Sequence, residues 1–246
     1  MFYYKTESSF FIVYERKHQQ VTKTTAILLF SRTAASEAAA KPLVFHKTKA
    51  EKVADILIKK TKSIAKATNL PVFFISEKKQ RGNTFGEKLG NAFSDIFEKG
   101  YDNVISIGND CLDISPTNLI NAAEILNEKQ VVLGETLDGG VYLIGLNRTT
   151  FKALDFSTIS WQTSKVFTEL VSFSKKQGFS SIFLDKKADF DTAFDFKKAI
   201  KTFAILLQKS IFALLNDTCP IHFPLFQTIP NPVFLSTQSL RAPPVF

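Results

Sequence analysis

Five short pieces of this 246-residue chain carry side chains able to do chemistry together. In "GNDCLDISP", Asp110 follows directly on the apolar run "NVISIG". A carboxylate there can ligate Mg²⁺ or Mn²⁺, and the metal can bridge the phosphates of a nucleotide; the same aspartate could instead cap a turn. In "ADFDTAFDF", Asp189 and Asp191 stand two apart, so an extended chain puts both on one face. Two such carboxylates repel unless a cation lies between them, and Asp191 or Thr192 could also cap a helix. "SRTAASEAAAKPL" supplies Arg32 and Lys41, cations that can meet phosphate oxygens or remain a surface pair. "EKKQRGNTFGEKLG" places Gln80, Gly82 and Gly86 ahead of a helix, where bare backbone amides can approach a ligand. Between two strand-like runs, "TLDGGVY" sets Asp138 beside Gly139 and Gly140. Asp-Gly reads first as a hairpin turn, although the same glycines let backbone approach a substrate.

These pieces need a frame that brings them to one end. "TAILLF" (25–30), "PVFFIS" (71–76) and "NVISIG" (103–108) are short apolar runs of the kind buried on both faces of a parallel sheet. Helical spacing separates them. Val53, Ile56, Leu57 and Ile64 mark one helix, and Leu89, Phe93, Ile96 and Phe97 mark another with Gly100 as its stop. A third helix follows in "SPTNLINAAEILNEK", with Ser115 as N-cap and Pro116 at its first position. The alternation predicts a parallel sheet covered on both faces, with ligands beyond the carboxyl ends of the strands. "QVVLGE" and "VYLIGL" are too close for a parallel crossover and should form an antiparallel hairpin or diverge to different neighbours. "WQTSKVFTELVSFSKKQG" reads as a helix ending near Gly178, "SSIFLD" as a strand, and the stretch from Thr192 to Asn216 as a long apolar helix. The loop after the first strand, including "AASEAAA", reads as irregular, and prolines punctuate the tail from Asp217.

The composition, 45% hydrophobic with a net charge of +8, suits one large domain and anionic ligands. Lysines occur in ones and twos and no basic tract is interleaved with aromatics, so no nucleic-acid partner is expected. Cys111 and Cys219 are too far apart in sequence and context to suggest a disulfide framework or a paired-cysteine metal site. The N-terminus lacks the pattern of a signal peptide, and Gln208 and Lys209 interrupt the longest apolar stretch, so a cytoplasmic protein without a transmembrane segment is expected. Phe203, Leu206, Leu207, Phe212, Leu214 and Leu215 read as packing residues rather than a membrane-docking face. His18, His46 and His222 fall in none of these pieces and offer no evident general base.

Taken in order, "LLFSR", "QRGNTFGEKL", "GYDNVISIGNDC", "VVLGETLDGGVYLIGL", "ISWQTSKV" and "DFDTAFDF" resemble the transferases of the domain of unknown function 2064 group. These are relatives of nucleotide-diphospho-sugar transferases, and the likeness covers about residues 25–198. The resemblance implies a Rossmann-like GT-A fold: a three-layer α/β/α sandwich, mostly parallel, with an antiparallel excursion around 131–146. The implied layout is an extension over 1–23, a transferase domain over 24–215 and an irregular tail over 216–246.

Carried over by position, Asp110 is the principal ligand of Mg²⁺ or Mn²⁺, with Asp189 or Asp191 completing the site. Arg32, Lys41, Gln80, Gly82 and Gly86 line the nucleotide pocket, and Asp138, Gly139 and Gly140 face donor or acceptor. The implied reaction moves a glycosyl or nucleotidyl group from a nucleotide sugar or nucleoside triphosphate to a small acceptor, with Asp110 and Asp138 at the reacting centre. The first loop departs from the family pattern: Pro42 and Leu43 stand where a threonine and an arginine are usual, and Glu37 adds a negative charge. The alternative is a nucleotide-binding or scaffold protein of the same fold with weakened turnover.

Overall fold

The computed structural model describes residues 25–41, 43–44, 46–111, 113–126 and 130–188, together with Phe196, Ile211 and Phe212. The extension over 1–23, the tail over 216–246, Cys219, Asp189, Asp191 and most of the expected last helix lie outside the described residues.

Six strands form one sheet in the order β2-β1-β3-β5-β4-β6. They are β1 (Thr25–Phe30), β2 (Val72–Ile75), β3 (Asn103–Ile107), β4 (Gln130–Thr136), β5 (Val141–Asn147) and β6 (Ser180–Lys187). β1 pairs parallel with β2 and β3, and β4 pairs parallel with β6. β5 runs antiparallel to both its neighbours, β3 and β4. The expected hairpin therefore forms, and its second strand lies between the first three-stranded half and the rest.

The helices are α1 (Ala34–Ala40), α2 (Lys47–Lys66), α3 (Phe85–Glu98), α4 (Pro116–Ile125), α5 (Arg148–Ala153) and α6 (Val166–Lys176), with a 3₁₀ turn at Phe156–Thr158. Side-chain alternation along β1 divides the core. Ala26 and Leu28 pack with Leu89, Phe93 and Ile96 of α3, and with Val166 and Leu170 of α6. Ile27 and Leu29 point the other way, among Leu119 and Ala122 of α4 and Ala65 of α2. These four β1 residues are fully buried, and Ile27, Leu28 and Leu29 each contribute about 1.5–3 kcal/mol relative to exposure. The result is the expected α/β/α sandwich.

The local stop and start signals act as read. The Ser115 side chain accepts from the Asn118 amide with Pro116 in the first turn of α4, and Gly100 leaves α3 at φ +98. Two segments differ from expectation. "AASEAAA" is the helix α1 rather than irregular loop, as its alanines favour. The helix expected from Trp161 begins only at Val166, because residues 161–165 form a turn. The short α5 and the 3₁₀ turn connect β5 to that helix.

Candidate active site

Lys41 and Asp110 meet beyond the carboxyl ends of the strands. Lys41 caps the C-terminus of α1, where its amide donates to the Glu37 carbonyl at 2.8 Å. Its Nζ lies 2.7 Å from Asp110 Oδ2, and the two side chains are 23% and 35% exposed, so water reaches the pair. Glu37 is buried beneath them and lies 3.5 Å from the Arg32 guanidinium. Burial, then the nearby Asp110 charge, push the Glu37 carboxyl above its ordinary range, while Lys41 and Arg32 pull it back. Lys41 also acts on Asp138: burial raises that carboxyl, but hydrogen bonds from Thr136 and Gly140 and the Lys41 charge leave it below the usual range. Thus one ammonium pairs with Asp110 in the loop after β3 and acts electrostatically on Glu37 of α1 and Asp138 of the hairpin turn. A small cavity of about 10 Å³ adjoins the pair, walled by Leu43, Ala50, Ala54 and Leu57 as well as by Glu37, Lys41, Asn109 and Asp110, with room for about one water.

The loop after β1 is held from below. Glu77, just past β2, accepts from the Thr33 amide at 2.6 Å, the Thr33 hydroxyl at 2.5 Å and the Ser36 hydroxyl at 2.7 Å. Burial would raise the Glu77 carboxyl, yet these donors outweigh it and bring it down to about 2. Gln80 donates to the Ser31 and Ile75 carbonyls at 3.3 Å each, joining the first two loops. Ser31 in turn donates to Asn109 at 2.8 Å, tying the first loop to the residue before Asp110.

Asp138 accepts from the Thr136 hydroxyl at 2.5 Å and the Gly140 amide at 3.0 Å, so it closes its own turn while standing at the rim. Gly139 has φ +90, and a side chain there would overlap the Ser164 carbonyl. Its own carbonyl accepts from the Phe167 amide at 3.2 Å. Gly86 is similarly constrained: a Cβ would lie 2.5 Å from the Phe156 carbonyl and 2.7 Å from Trp161 Nε1. Trp161 donates to that carbonyl at 2.6 Å, stacks on Phe156 and meets Phe85, which meets Phe30 at the end of β1. Gly82, at φ +123, lies against Glu87, the capping partner of Thr84 in α3.

The structure therefore brings Arg32, Lys41, Asp110 and Asp138 into one charged mouth. It places Gln80 and Gly82 in the loops that shape this mouth, and Gly86 and Gly139 against the aromatic turn beneath it. Glu77 was not singled out from sequence, although its position directly past a strand's carboxyl end is the signal that would have nominated it. Cys111 is buried and unpaired, and burial pushes its thiol up to about 11, which makes it a poor nucleophile. Among the described residues no three His, Cys, Asp or Glu side chains are grouped to hold a metal alone. The oxygen donors at the mouth still fit Mg²⁺ or Mn²⁺, which use one or two carboxylates and take their remaining positions from water and phosphate. No helix among the described residues is long and apolar enough to cross a membrane.

Comparison with known proteins places the chain. The profile of a family described as "Uncharacterized protein conserved in bacteria (DUF2064)" matches residues 32–163, a span that contains every candidate residue except Asp189 and Asp191. No curated protein matches the sequence. A protein of Desulfovibrio desulfuricans G20, provisionally designated a nucleotide-diphospho-sugar transferase, superimposes with a TM-score of 0.67 at 20% identity, covering 78% of this chain and 94% of its own. That likeness shows a shared fold. A cytidylyltransferase of Leptospira borgpetersenii aligns at 15% identity over 78% of this chain and 92% of its own, with a TM-score of 0.43. A Mycobacterium tuberculosis H37Rv protein solved with manganese aligns at 12% identity over 74% of this chain and 100% of its own, with a TM-score of 0.41.

Proposed function

We propose, from the premise that this chain belongs to the DUF2064 family, that it is a metal-assisted transferase acting on a nucleotide sugar or nucleoside triphosphate. The observation that carries the reading is the Lys41–Asp110 pair, at 2.7 Å beyond the carboxyl ends of the strands, with Asp138 in electrostatic reach of the same ammonium. Loops and a cation converge there on the position where open α/β sheets bind phosphorylated ligands. The designation of the Desulfovibrio desulfuricans protein points to the same substrate class.

In this reading Lys41 and Arg32 meet the phosphate oxygens of the donor, and Asp110 is the carboxylate for Mg²⁺ or Mn²⁺, joined by Asp189 or Asp191. The metal, when bound, neutralises charge on the departing diphosphate. Gln80 and Gly82 keep the first two loops in place for the nucleotide. Asp138, fixed by Thr136 and Gly140, faces the acceptor oxygen, which attacks an anomeric carbon or an α-phosphorus while a nucleoside diphosphate or pyrophosphate leaves. Wild type should gain clearly more thermal stability from nucleoside triphosphates or nucleotide sugars with Mn²⁺ than without it, and Asp110→Ala should lose that difference. Equal stabilisation of wild type with and without metal would sink the proposal.

A second reading, a nucleotide-binding or scaffold protein with weakened turnover, is favoured by Glu77. Its carboxylate takes the Thr33 amide and the Thr33 and Ser36 hydroxyls, donors that a phosphate in the first loop would use. Release of pyrophosphate or nucleoside diphosphate above the Asp110→Ala background, across a panel of donors and acceptors, would refute it.

A further inference from the structure

The charged mouth contains a cation of its own, and its placement has a consequence for the order in which ligands enter. Lys41 Nζ sits 2.7 Å from Asp110 Oδ2, against the carboxylate assigned above to the divalent metal. The backbone of Lys41 is anchored at the end of α1, and any movement of its ammonium is carried by the flexible four-carbon stem. With Lys41 in this position, the ammonium already occupies Asp110 Oδ2, so a metal taking that carboxylate must share it with a cation or displace one. An ammonium and a divalent ion also repel across such a distance, so both cannot sit on one carboxylate at full strength. The Glu37 and Asp138 charges also attract the ammonium, so a dense negative charge such as a diphosphate is what can draw it off.

We propose that Lys41 is a resident counter-ion at Asp110 that competes directly with the divalent metal, and that a diphosphate is the group that draws it away. The inference rests on the assignment of Asp110 as the metal carboxylate. Phosphate takes the lysine, the vacated carboxylate takes the metal, and the two ligands bind with positive coupling. Glu37 keeps the displaced ammonium within reach, so the site returns to its closed ion pair when the phosphates leave.

The test uses the full chain with each ligand alone: Mn²⁺ followed by the electron paramagnetic resonance signal of the free ion, and pyrophosphate in a metal-free buffer followed by calorimetry. Lys41→Met is expected to bind Mn²⁺ about ten-fold more tightly than wild type and pyrophosphate about ten-fold more weakly, a coupling of ordinary size. Asp110→Asn is expected to do the reverse, losing Mn²⁺ and gaining affinity for pyrophosphate. Opposite signs in one protein are what simple loss of structure does not produce, and Lys41→Gln serves if the methionine variant fails to fold. Mn²⁺ affinity that depends on Asp110 yet is unchanged or weakened in the Lys41 variants overturns the competition and leaves the metal assignment standing. Failure of both wild type and the Lys41 variants to bind Mn²⁺ overturns the two together.

Discussion

The charged mouth and the aromatic turn beneath it lie side by side but are built in opposite ways. At the mouth, Lys41, Asp110 and Asp138 are partly open to water and hold one another by charge. Beneath, Gly86 and Gly139 are shaped by what their missing side chains would strike, and Trp161, Phe156 and Phe85 fill the space. Motifs adjacent in the sequence thus serve different ends. Within Asp138-Gly139-Gly140 the aspartate belongs to the mouth and Gly139 to the packing, which is why the turn and the "WQTS" segment occur together: Gly139 lies directly against Ser164.

If the comparison holds, damage beneath should cost stability, while damage at the mouth should cost binding. Gly139→Ala combines a positive φ with a backbone overlap, and a loss of about 3 kcal/mol is expected, read as a lower urea midpoint with an unchanged slope. Gly86→Ala pushes a methyl against the Phe156 carbonyl and Trp161 and should lose about 2 kcal/mol. Trp161→Phe keeps the stack and deletes the hydrogen bond to Phe156, so about 1 kcal/mol is expected. A stable Gly139→Ala protein with full ligand response would erase the distinction.

The smaller effects lie above. Glu77 has its folded carboxyl lowered from 4.5 to about 2, so its stabilisation is present above about pH 4.5 and is lost as pH falls through about 2. After allowance for solvent screening this amounts to about 1 kcal/mol. Glu77→Gln should flatten that part of the stability profile and leave the neutral-to-alkaline limb parallel to wild type. Asp110→Asn removes one member of a partly exposed pair and should change stability by less than about 1 kcal/mol, while its metal-dependent ligand response disappears. A large stability loss in this variant would place Asp110 with the packing residues.

The sheet was readable because β1 and β3 are buried on both faces and must be apolar throughout, a pattern short enough to see. The position of β5 between β3 and β4 was not, since period fixes an element's type and not its neighbours. The α1 helix was hidden by the look of a phosphate-binding loop, although its alanines carried the helical preference. At the site, Asp110 and Lys41 could each be nominated, but their contact spans 69 positions, and no local pattern reports such a pairing. Gly86 illustrates the converse: before a helix a glycine suggests ligand approach, and only the packed Trp161 ring reveals the other constraint on it.

The antiparallel strand at the heart of the sheet also bears on how the chain assembles. β4 and β5 are joined by the four residues 137–140, so they can meet within microseconds, whereas β1 must find β3 across the intervening α1, α2, β2 and α3. The preformed hairpin then offers β3 one edge and β6 the other. Nucleation of the ribbon therefore sets both halves in register, and amides of β5 should be among the last to exchange with deuterium under native conditions.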